Sequence, residues 1–461
     1  MNNELIKVTL LSESSVDPCD LISYAAHQCY QAEEPVLGDL IDIEGRLFNP
    51  GHHTTLQHCY LTYSIEGMSV GDISSEFHMV SPFYNSDQRS GRFCEKMFLN
   101  PDYEKIEKYI KTYWPEVMLK DLKEVLTYVK KGVGLFSNNI ERATFVVEKF
   151  LKKERPKASD RYIKQMAPKI AKEQLRMFIP VVFPTGFTFT INLSTLVSMY
   201  LSVLSPVAKN VLDEMCKKFL AKHPKLNFMF NPKKRNTECP GLRFFYNSNE
   251  PTLLFEPELE IINISNNNLV KLVVPDKKDL FPVNLLPFKK KYMDNNFITI
   301  TSKVKLSLSA MGQDQRHRTI QRSEAAFIQS FYCAPVLREL GLEEEAQKFF
   351  LNWSSFYSCF SQDLLTILAP YGAMVSYFKK GDLNAIIHEQ GKRTCFSAQE
   401  EVYNLARIFR EEVKKKDEKR DLFELFGPAC FKLGKCVEGD RYCGRNLSHF
   451  QFLDFFPIRK V

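Results

Sequence analysis

The chain has 461 residues, of which 44% are hydrophobic and 25% charged, so it can bury a sizeable core and wholesale disorder is excluded. Sixty-two Lys and Arg against 55 Asp and Glu give a formal net charge of +7, which favours anionic small molecules and makes nucleic acid an unlikely partner. Without a signal-peptide pattern or a long apolar run, the twelve cysteines predict a protein of the reducing cytoplasm that does not enter a membrane.

The first part of the chain contains several helical patterns and one clear strand pattern. Apolar residues at helical spacing behind an Asp-Pro start predict a helix over Pro18–Tyr30. A turn at Asn49–His53 precedes Leu56–Ile65, where alternation and aromatic residues predict a strand. Mixed charged and apolar residues at period 3.6 indicate helices over 101–132 and 138–153.

A change of composition marks the middle of the chain. Lys, Pro and Asn accumulate between Lys222 and Pro251, as expected of a boundary between domains. Beyond it, residues 253–310 read mostly as strands, and a helix is predicted to start near Arg322. Further helices are predicted over 336–350 and 397–418.

The densest group of cations lies in the segment MGQDQRHRTIQRSE. It contains Arg316, His317, Arg318 and Arg322, next to Gln313 and Glu324. Because guanidinium groups match the oxygens of phosphates, the segment is a candidate phosphate or pyrophosphate clamp. The alternative interpretation is an exposed basic turn, since runs of charge usually face solvent.

A second candidate for phosphate binding lies earlier in the chain. In NSDQRSGRF, the triplet Ser90, Gly91 and Arg92 offers a hydroxyl, an unobstructed backbone N–H and a guanidinium. Such a triplet is weak evidence by itself.

Taken together, these segments resemble the flavin-dependent thymidylate synthases, the family of the thymidylate synthase complementing protein. The family signature reads Arg-His-Arg-x-x-Ser-x-Asn-Glu-x-Ser-x-Arg-Tyr, with a Gln three residues upstream. Two segments of this chain are similar to it, and each keeps a part of the signature that the other has lost. The later segment keeps Gln313, Arg316, His317, Arg318 and Glu324, whereas the earlier one keeps Ser90, Gly91 and Arg92, with Gln88 in place of Glu. Other positions that match the family's motifs are His52, Arg176, Asn192 and Arg393.

The resemblance implies an α+β fold made of two tandem family-like domains. Each would have a mainly antiparallel sheet flanked by long helices. The predicted boundaries are a first copy at 1–225, a linker at 226–252, a second copy at 253–420 and a small cysteine-containing tail at 421–461. Since the family is tetrameric, a fused pair implies a homodimer that forms a pseudo-tetramer of domains.

The resemblance also implies a reaction, the reductive methylation of dUMP to dTMP. FAD would be the cofactor, and NADPH and 5,10-methylene-tetrahydrofolate the co-substrates. Arg393 matches the residue beside the uracil ring and is the candidate catalytic residue. The substrate candidates are Gln313, Glu324, Gln88, Ser90, Gly91, Arg92 and Arg176, and the flavin candidates are His52, Asn192, Arg316, His317 and Arg318.

The tail suggests a metal site. Cys430, Cys436 and Cys443 are separated by five and six residues, and Cys395 is a possible fourth ligand. Four thiolates would suit zinc or an iron–sulfur cluster, although the two-residue spacing of common zinc sites is missing. The alternative is a set of free thiols in a compact tail.

Two functions stay open at this point. Arg176, Asn192 and Arg393 favour an enzyme. Incomplete signatures in both copies favour a non-catalytic flavin- or nucleotide-binding paralogue with a regulatory or partner-subunit role.

Overall fold

The protein combines helices with two β-sheets. The computed structural model describes residues 5–78, 84–89, 96–202, 205–235, 242–244, 251–265, 271–276, 279, 286, 289–417, 422–436, 439, 442–445, 447 and 456–461. We call residues up to 235 the first half and residues from 242 onward the second half.

The first half packs helices against one antiparallel sheet. Its described strands are β1 (Lys7–Glu13), β2 (Tyr60–Ser69), β3 (Tyr84–Gln88) and β4 (Pro184–Asn192). Its described helices are α1 (Pro18–Tyr30), α2 (Val70–Asp72), α3 (Lys96–Leu99), α4 (Tyr103–Tyr113), α5 (Leu119–Ser137), α6 (Ile140–Glu154), α7 (Asp160–Leu175), α8 (Leu193–Leu201) and α9 (Pro206–Leu220). Local sequence sets several helix starts: Asp17 accepts from the N–H of Cys19, and Pro18 fits the first turn of α1.

The second half repeats this arrangement with a larger sheet. Its described strands are β5 (Arg243–Phe244), β6 (Thr252–Leu254), β7 (Glu258–Ile264), β8 (Thr299–Ser307), β9 (Gln321–Arg322), β10 (Ala326–Tyr332) and β11 (Ala373–Asp382). Its described helices are α10 (Leu308–Asp314), α11 (Pro335–Glu339), α12 (Glu343–Ser355), α13 (Gln362–Leu368), α14 (Leu383–Arg393), α15 (Glu400–Lys416) and α16 (Ala429–Leu433).

The two sheets share one strand order. The first runs β1-β2-β4-β3, and all its neighbours are antiparallel. In the second, β7, β8 and β11 occupy the same places as β1, β2 and β4, and β9 and β10 pair with β11 as β3 pairs with β4. Strands β5 and β6 then add to β10 in parallel. The predicted linker therefore contributes strand residues to the second sheet.

Register and capping also agree between the halves. Tyr60 pairs with Asn192 in the first sheet, and Thr299 pairs with Asp382 in the second. Asn192 caps α8 and Asp382 caps α14. This agreement favours a tandem duplication, which stays a proposal.

The main hydrophobic core crosses the boundary between the halves. The ring of Tyr128 stacks on Phe349 with centroids 4.6 Å apart, and its hydroxyl donates to the carbonyl of Leu368 at 3.2 Å. The indole of Trp114 donates to Asp363 at 2.9 Å. The two halves are therefore joined by buried contacts as well as by the chain.

The α+β class with mainly antiparallel sheets is confirmed, and the local predictions succeed where the pattern is strong. Helix α1 has the predicted bounds, and α15 fills most of 397–418. The strand predicted from Leu56 starts at Tyr60 because His53–His58 forms a 3-10 turn first. The helices at 101–132 and 336–350 are each divided in two, the latter at Gly341, whose φ is +69°.

Two predictions in the second half are wrong. No helix starts near Arg322, because Gln321–Arg322 pairs with β11 as strand β9. Of residues 253–310, the described strands cover only parts, and Lys290–Phe297 forms a 3-10 turn. At Gln321–Arg322, pairing with β11 overrides the local pattern.

Candidate functional site

A buried arginine of the first half reaches into the second half. Arg176 follows α7 and is only 5% exposed. One of its terminal nitrogens, Nη2, donates to Ser309 Oγ at 2.7 Å and to Gln399 Oε1 at 3.1 Å. The guanidinium also lies 5.2 Å from the ring centre of Tyr371. The first half thus supplies a cation to a polar pocket that the second half otherwise builds.

Gln399 is the centre of this pocket. It is buried and precedes α15 as its N-cap residue. Its carbonyl oxygen accepts from Arg176 and from the side-chain amide of Gln313, and its amide nitrogen donates to Ser309 Oγ at 3.3 Å. Gln399 was not among the site residues predicted from the sequence, although it follows the predicted Arg393 by only six residues.

Arg393 completes the group. It is the last residue of α14, and its Nη2 donates to the main-chain carbonyl of Gln313. Arg176, Gln313 and Arg393, predicted from three distant segments, therefore belong to one hydrogen-bonded cluster. We call Arg176, Ser309, Gln313, Arg393 and Gln399 the Arg176 pocket.

A pair of histidines lies beside Arg393. His317 is 6% exposed, and neither of its ring nitrogens has a hydrogen-bond partner. Burial, Arg393 and His388 hold the pKa of His317 well below its ordinary value, so its imidazole is neutral at pH 7. The ring of His388 stands edge-on to it at 5.3 Å. His317 therefore has unused capacity to donate or accept one hydrogen bond at each nitrogen.

The other two residues of the Arg-His-Arg segment lie in different surroundings. Arg316 is exposed. Arg318 donates to the side chain of Asn85 at 2.7 Å and to the carbonyl of Ser86 at 2.6 Å, and it covers the ring of Tyr84. Arg318 holds β3 of the first half, which is a role that sequence analysis did not anticipate.

Two predicted substrate residues lie on strand edges. Glu324 is exposed and forms an ion pair with Arg243 of β5 at 3.2 Å. Gln88 is half-buried at the end of β3, opposite Phe187. The other predicted substrate residues of this segment, Ser90, Gly91 and Arg92, lie outside the described residues.

The flavin candidates of the first half lie at one end of its sheet. His52 is exposed at the start of the turn that leads into β2. Asn192, at the end of β4, is buried and accepts from the N–H and hydroxyl of Thr195 at 2.8 and 3.0 Å. The Asn192 carbonyl is thus engaged in capping α8.

The four predicted metal ligands are all described, but they do not form a metal centre. Across the part of the chain that the structure describes, no group of three or more His, Cys, Asp or Glu could hold a metal ion. Instead, the guanidinium of Arg445 lies between Phe396 and Phe431, 4.4 and 4.1 Å from their ring centres. Phe396 follows Cys395 and Phe431 follows Cys430 in the sequence. The guanidinium of Arg445 therefore lies between the segments that carry these two cysteines.

Burial also governs the ionisation of two of these thiols. Burial raises the pKa of Cys430 to about 12 and also raises that of Cys443, so both are protonated at pH 7. Cys436 is half-buried. The zinc or iron–sulfur site stays a prediction that this arrangement does not show.

A buried ionic network supports the turn that carries His317. Asp314 accepts from Arg322 Nε at 2.6 Å, from Lys379 Nζ at 2.5 Å and from the Tyr377 hydroxyl at 2.8 Å. Lys379 also donates to Glu389 at 2.6 Å. Although burial opposes ionisation, Arg322 and Lys379 hold the pKa of Asp314 well below its ordinary value.

The network fixes the site through one more contact. Arg322 Nη1 donates to the carbonyl of His317 at 3.1 Å. Sequence analysis counted Arg322 among the clamp cations and did not identify Asp314 or Lys379. The available signal was Lys379, a lysine within the strand β11. A buried lysine requires a carboxylate partner, so it predicts a nearby acidic residue such as Asp314.

Two adjacent carboxyls lie under the Arg176 pocket. Glu401 accepts from the N–H of Ser307 at 2.7 Å and from its hydroxyl at 2.5 Å. Burial raises the pKa of Glu401 to about 7, and burial with Glu173 and Glu401 raises that of Glu400 to about 8. These carboxyls hold the start of α15, and so Gln399, in place.

With this geometry established, the chain can be compared with known proteins. Residues 9–225 match the family model of the thymidylate synthase complementing protein. The resemblance seen in the sequence is confirmed for this part of the chain. None of the curated proteins matches the chain.

Solved structures give a further comparison with this family. Two structures of the Helicobacter pylori flavin-dependent thymidylate synthase with FAD and dUMP each show 17% identity, a TM-score of 0.32, and coverage of 50% of this chain and 100% of theirs. The UMP/dUMP methylase PolB from Streptomyces cacaoi, bound to 5-Br UMP, shows 11% identity, a TM-score of 0.29, and coverage of 39% of this chain and 98% of its own.

Within the described ranges, no helix is both long and apolar enough to cross a bilayer.

Proposed function

We propose that the chain is a flavin-dependent thymidylate synthase-type enzyme that converts dUMP to dTMP, using 5,10-methylene-tetrahydrofolate and NADPH. The observation that carries the proposal is the Arg176 pocket. It unites Arg176, Gln313 and Arg393, which match three separate family motifs, and it does so across the two halves. The family match over residues 9–225 supports the same conclusion.

In this proposal three of the pocket residues have a chemical task. Arg176 binds the nucleotide phosphate, since a buried guanidinium offers forked donors to anionic oxygens. Gln313 presents an amide to the pyrimidine edge. Arg393 lies at the C-terminal end of α14 and stabilises the negative charge that develops on the ring as its C5 attacks the one-carbon unit.

The residues around His317 fit a flavin. The two unpartnered ring nitrogens of a buried, neutral His317 can bond to the polar edge of a ring system, and the exposed Arg316 can meet a phosphate. A bound flavin would supply the hydride. His52 and Asn192, at the end of the first sheet, are proposed to contact the same cofactor.

Tandem duplication and dimerisation belong to this proposal. The shared strand order, register and caps of the two sheets support descent from one duplicated domain. A homodimer would then contain four such domains. Its mass in solution, measured by light scattering, tests the second point.

A non-catalytic nucleotide-binding role is the second candidate. The observation in its favour is Arg318, whose two terminal nitrogens bond to β3. That contact removes one of the family's cations from ligand binding.

The decisive experiment follows flavin oxidation state by rapid mixing. After NADPH has reduced the flavin of the wild-type protein, addition of dUMP and methylene-tetrahydrofolate should reoxidise that flavin. Arg393→Lys should lose most of this reoxidation, because lysine keeps the charge without the planar fork. Flavin reduction by NADPH should survive in the variant and serves as the internal control. Wild type that carries flavin but shows no dUMP-dependent reoxidation would exclude the enzyme and leave the binding role.

A further inference from the structure

The two halves meet about a local two-fold arrangement. Pro180 pairs with Pro370 in an antiparallel bridge. On either side, the N–H of Val181 donates to Ala369 at 2.8 Å, and the N–H of Tyr371 donates to Ile179 at 2.9 Å. Because each half makes the same contact to the other, each residue of the Arg176 pocket has a two-fold-related counterpart. We call the place of these counterparts the mirror position.

Matching hydrogen bonds identify the residues at the mirror position. Arg176 lies four residues before Pro180, and Thr366 lies four residues before Pro370. Ser309 donates its N–H to Tyr371 at 3.1 Å, and Gly71 donates its N–H to Val181 at 2.8 Å. Thr366 therefore replaces Arg176, and Gly71 replaces Ser309.

The remaining pocket residues are replaced in the same way. Gln399 is the N-cap of α15, and Ser205 is the N-cap of α9. Gln313 is the sixth residue after the cap Ser307, and Ser75 is the sixth after the cap Ser69. Val203 follows the cap Asn192 by eleven residues, as Arg393 follows the cap Asp382, and it lies outside the described residues.

The mirror position is also filled. Leu242 is buried there, and its N–H donates to the Thr366 hydroxyl at 3.2 Å. A Cβ on Gly71 would stand 2.9 Å from Val181 and 3.0 Å from Ile367, so no side chain fits. The remaining cavity, which Leu242, Thr366 and Gly71 help to line, is about 10 Å³, room for about one water molecule at most.

A neutral residue, Thr366, takes the place of the cation Arg176 at the mirror position. Ser205 donates its hydroxyl to the buried carboxyl of Asp72 at 3.0 Å, and its N–H to Glu76 at 3.3 Å. Asp72 also accepts from Ser69 at 2.5 Å and from Tyr109 at 2.8 Å. Carboxyls lie behind both residues, Asp72 and Glu76 behind Ser205 and Glu401 behind Gln399, but among the described residues only Gln399 has a guanidinium against it, that of Arg176. The Gln399 side therefore favours an anionic ligand more than the mirror position does.

We infer that each chain binds one pyrimidine nucleotide, in the Arg176 pocket, and that residue 242 of its own connecting segment closes the mirror position. The inference rests on the proposed function and adds to it a fixed stoichiometry. A duplicated chain would then carry half as many nucleotide sites as domains.

Calorimetric titration with dUMP tests the inference on the full chain. We expect one dUMP per wild-type chain, the same stoichiometry and dissociation constant for Thr366→Ala, and a dissociation constant raised at least 100-fold in Arg176→Gln. Near-ultraviolet circular dichroism checks that Arg176→Gln is folded, and if it is not, the wild-type and Thr366→Ala stoichiometries still decide.

The outcomes separate this inference from the proposed function. Two dUMP per wild-type chain, or full-affinity binding that survives in folded Arg176→Gln, would overturn the single site while leaving a thymidylate synthase intact. The absence of any dUMP binding by wild type would overturn both.

Discussion

At the scale of single residues, one amide holds the candidate site together. The Gln399 oxygen accepts from Arg176 of the first half and from Gln313 of the second. A side chain with both donor and acceptor groups suits this position, because Ser309 and Glu401 lie on its other side. The pocket therefore depends on a residue that no charge pattern marks.

Arg316 and Arg318 should respond differently to substitution, although they are two residues apart. Arg318→Ala removes two hydrogen bonds to β3 and should lower the melting temperature, since hydrogen bonds to charged groups contribute about 1.5–3 kcal/mol. Arg316→Ala should leave the melting temperature nearly unchanged and weaken FAD binding about tenfold or more. Thermal scans and flavin titrations of both variants check this. Equal effects of the two on flavin binding would contradict the separation of roles.

Glu400 gives the stability a defined pH dependence. Its pKa is raised from 4.5 to about 8 by burial, Glu173 and Glu401. A carboxyl with a higher pKa in the folded state binds protons on folding, so its contribution is complete below pH 4.5 and is lost as the pH rises through about 8. Glu400→Gln mimics the protonated form and should raise the free energy of unfolding at pH 8.5 by on the order of 2 kcal/mol, with little change at pH 5.

Urea unfolding at the two pH values measures this difference. Glu344→Gln, at a solvent-exposed position of α12, is the control and should show no such pH dependence. Parallel pH profiles for Glu400→Gln and wild type would show that Glu400 is ionised in the folded protein.

At the scale of elements, α5 approaches its neighbours very closely at one glycine. A Cβ on Gly132 would lie 2.3 Å from the carbonyl oxygen of Phe178 and 2.8 Å from the ring of Phe349. Gly134, two residues later in the same helix, has no atom within 4 Å of such a Cβ. The absence of a side chain at Gly132 is therefore what lets the helix contact both halves.

The two glycines form a matched pair for mutation. Gly132→Ala should destabilise the protein by about 1–3 kcal/mol, because overpacking forces the backbone apart. Gly134→Ala should stabilise it by about 0.5–1 kcal/mol through helix propensity. Chemical denaturation of both variants measures the sign. Stabilisation by Gly132→Ala would mean that α5 packs less closely than described.

At the scale of the whole molecule, the two halves share one core. Trp114 of the first half bonds to Asp363 of the second, and Tyr128 stacks on Phe349. The chain has two tryptophans, and each half contains one, with Trp353 buried in the second half. Each indole can therefore report on its own half.

We expect the two halves to unfold in a single transition. Trp114→Phe leaves Trp353 as the fluorescent reporter, and Trp353→Phe leaves Trp114. Within each variant, the fluorescence midpoint in urea should coincide with the midpoint from circular dichroism, because separating the halves would expose their common core. Two distinct midpoints within either variant would show that one half is stable without the other.

Sequence alone determined the parts of this protein that depend on local chemistry or on fixed spacing. The Asp-Pro start and apolar period of α1 specify that helix regardless of its neighbours. The family spacing of Arg176, Gln313 and Arg393 selected three residues that the fold then brought to one pocket.

Tertiary structure decided everything that depends on which groups compete for a partner. Arg322 lies in a strand that pairs with β11, and its guanidinium binds Asp314, whereas Arg318 bonds to β3, although both arginines belong to one basic run in the sequence. Arg445, rather than a metal ion, lies between the aromatic residues that adjoin Cys395 and Cys430. A sequence shows which side chains carry charge. Because a buried charge must be paired or hydrogen-bonded, its role depends on which partner lies next to it, and only the folded chain determines that.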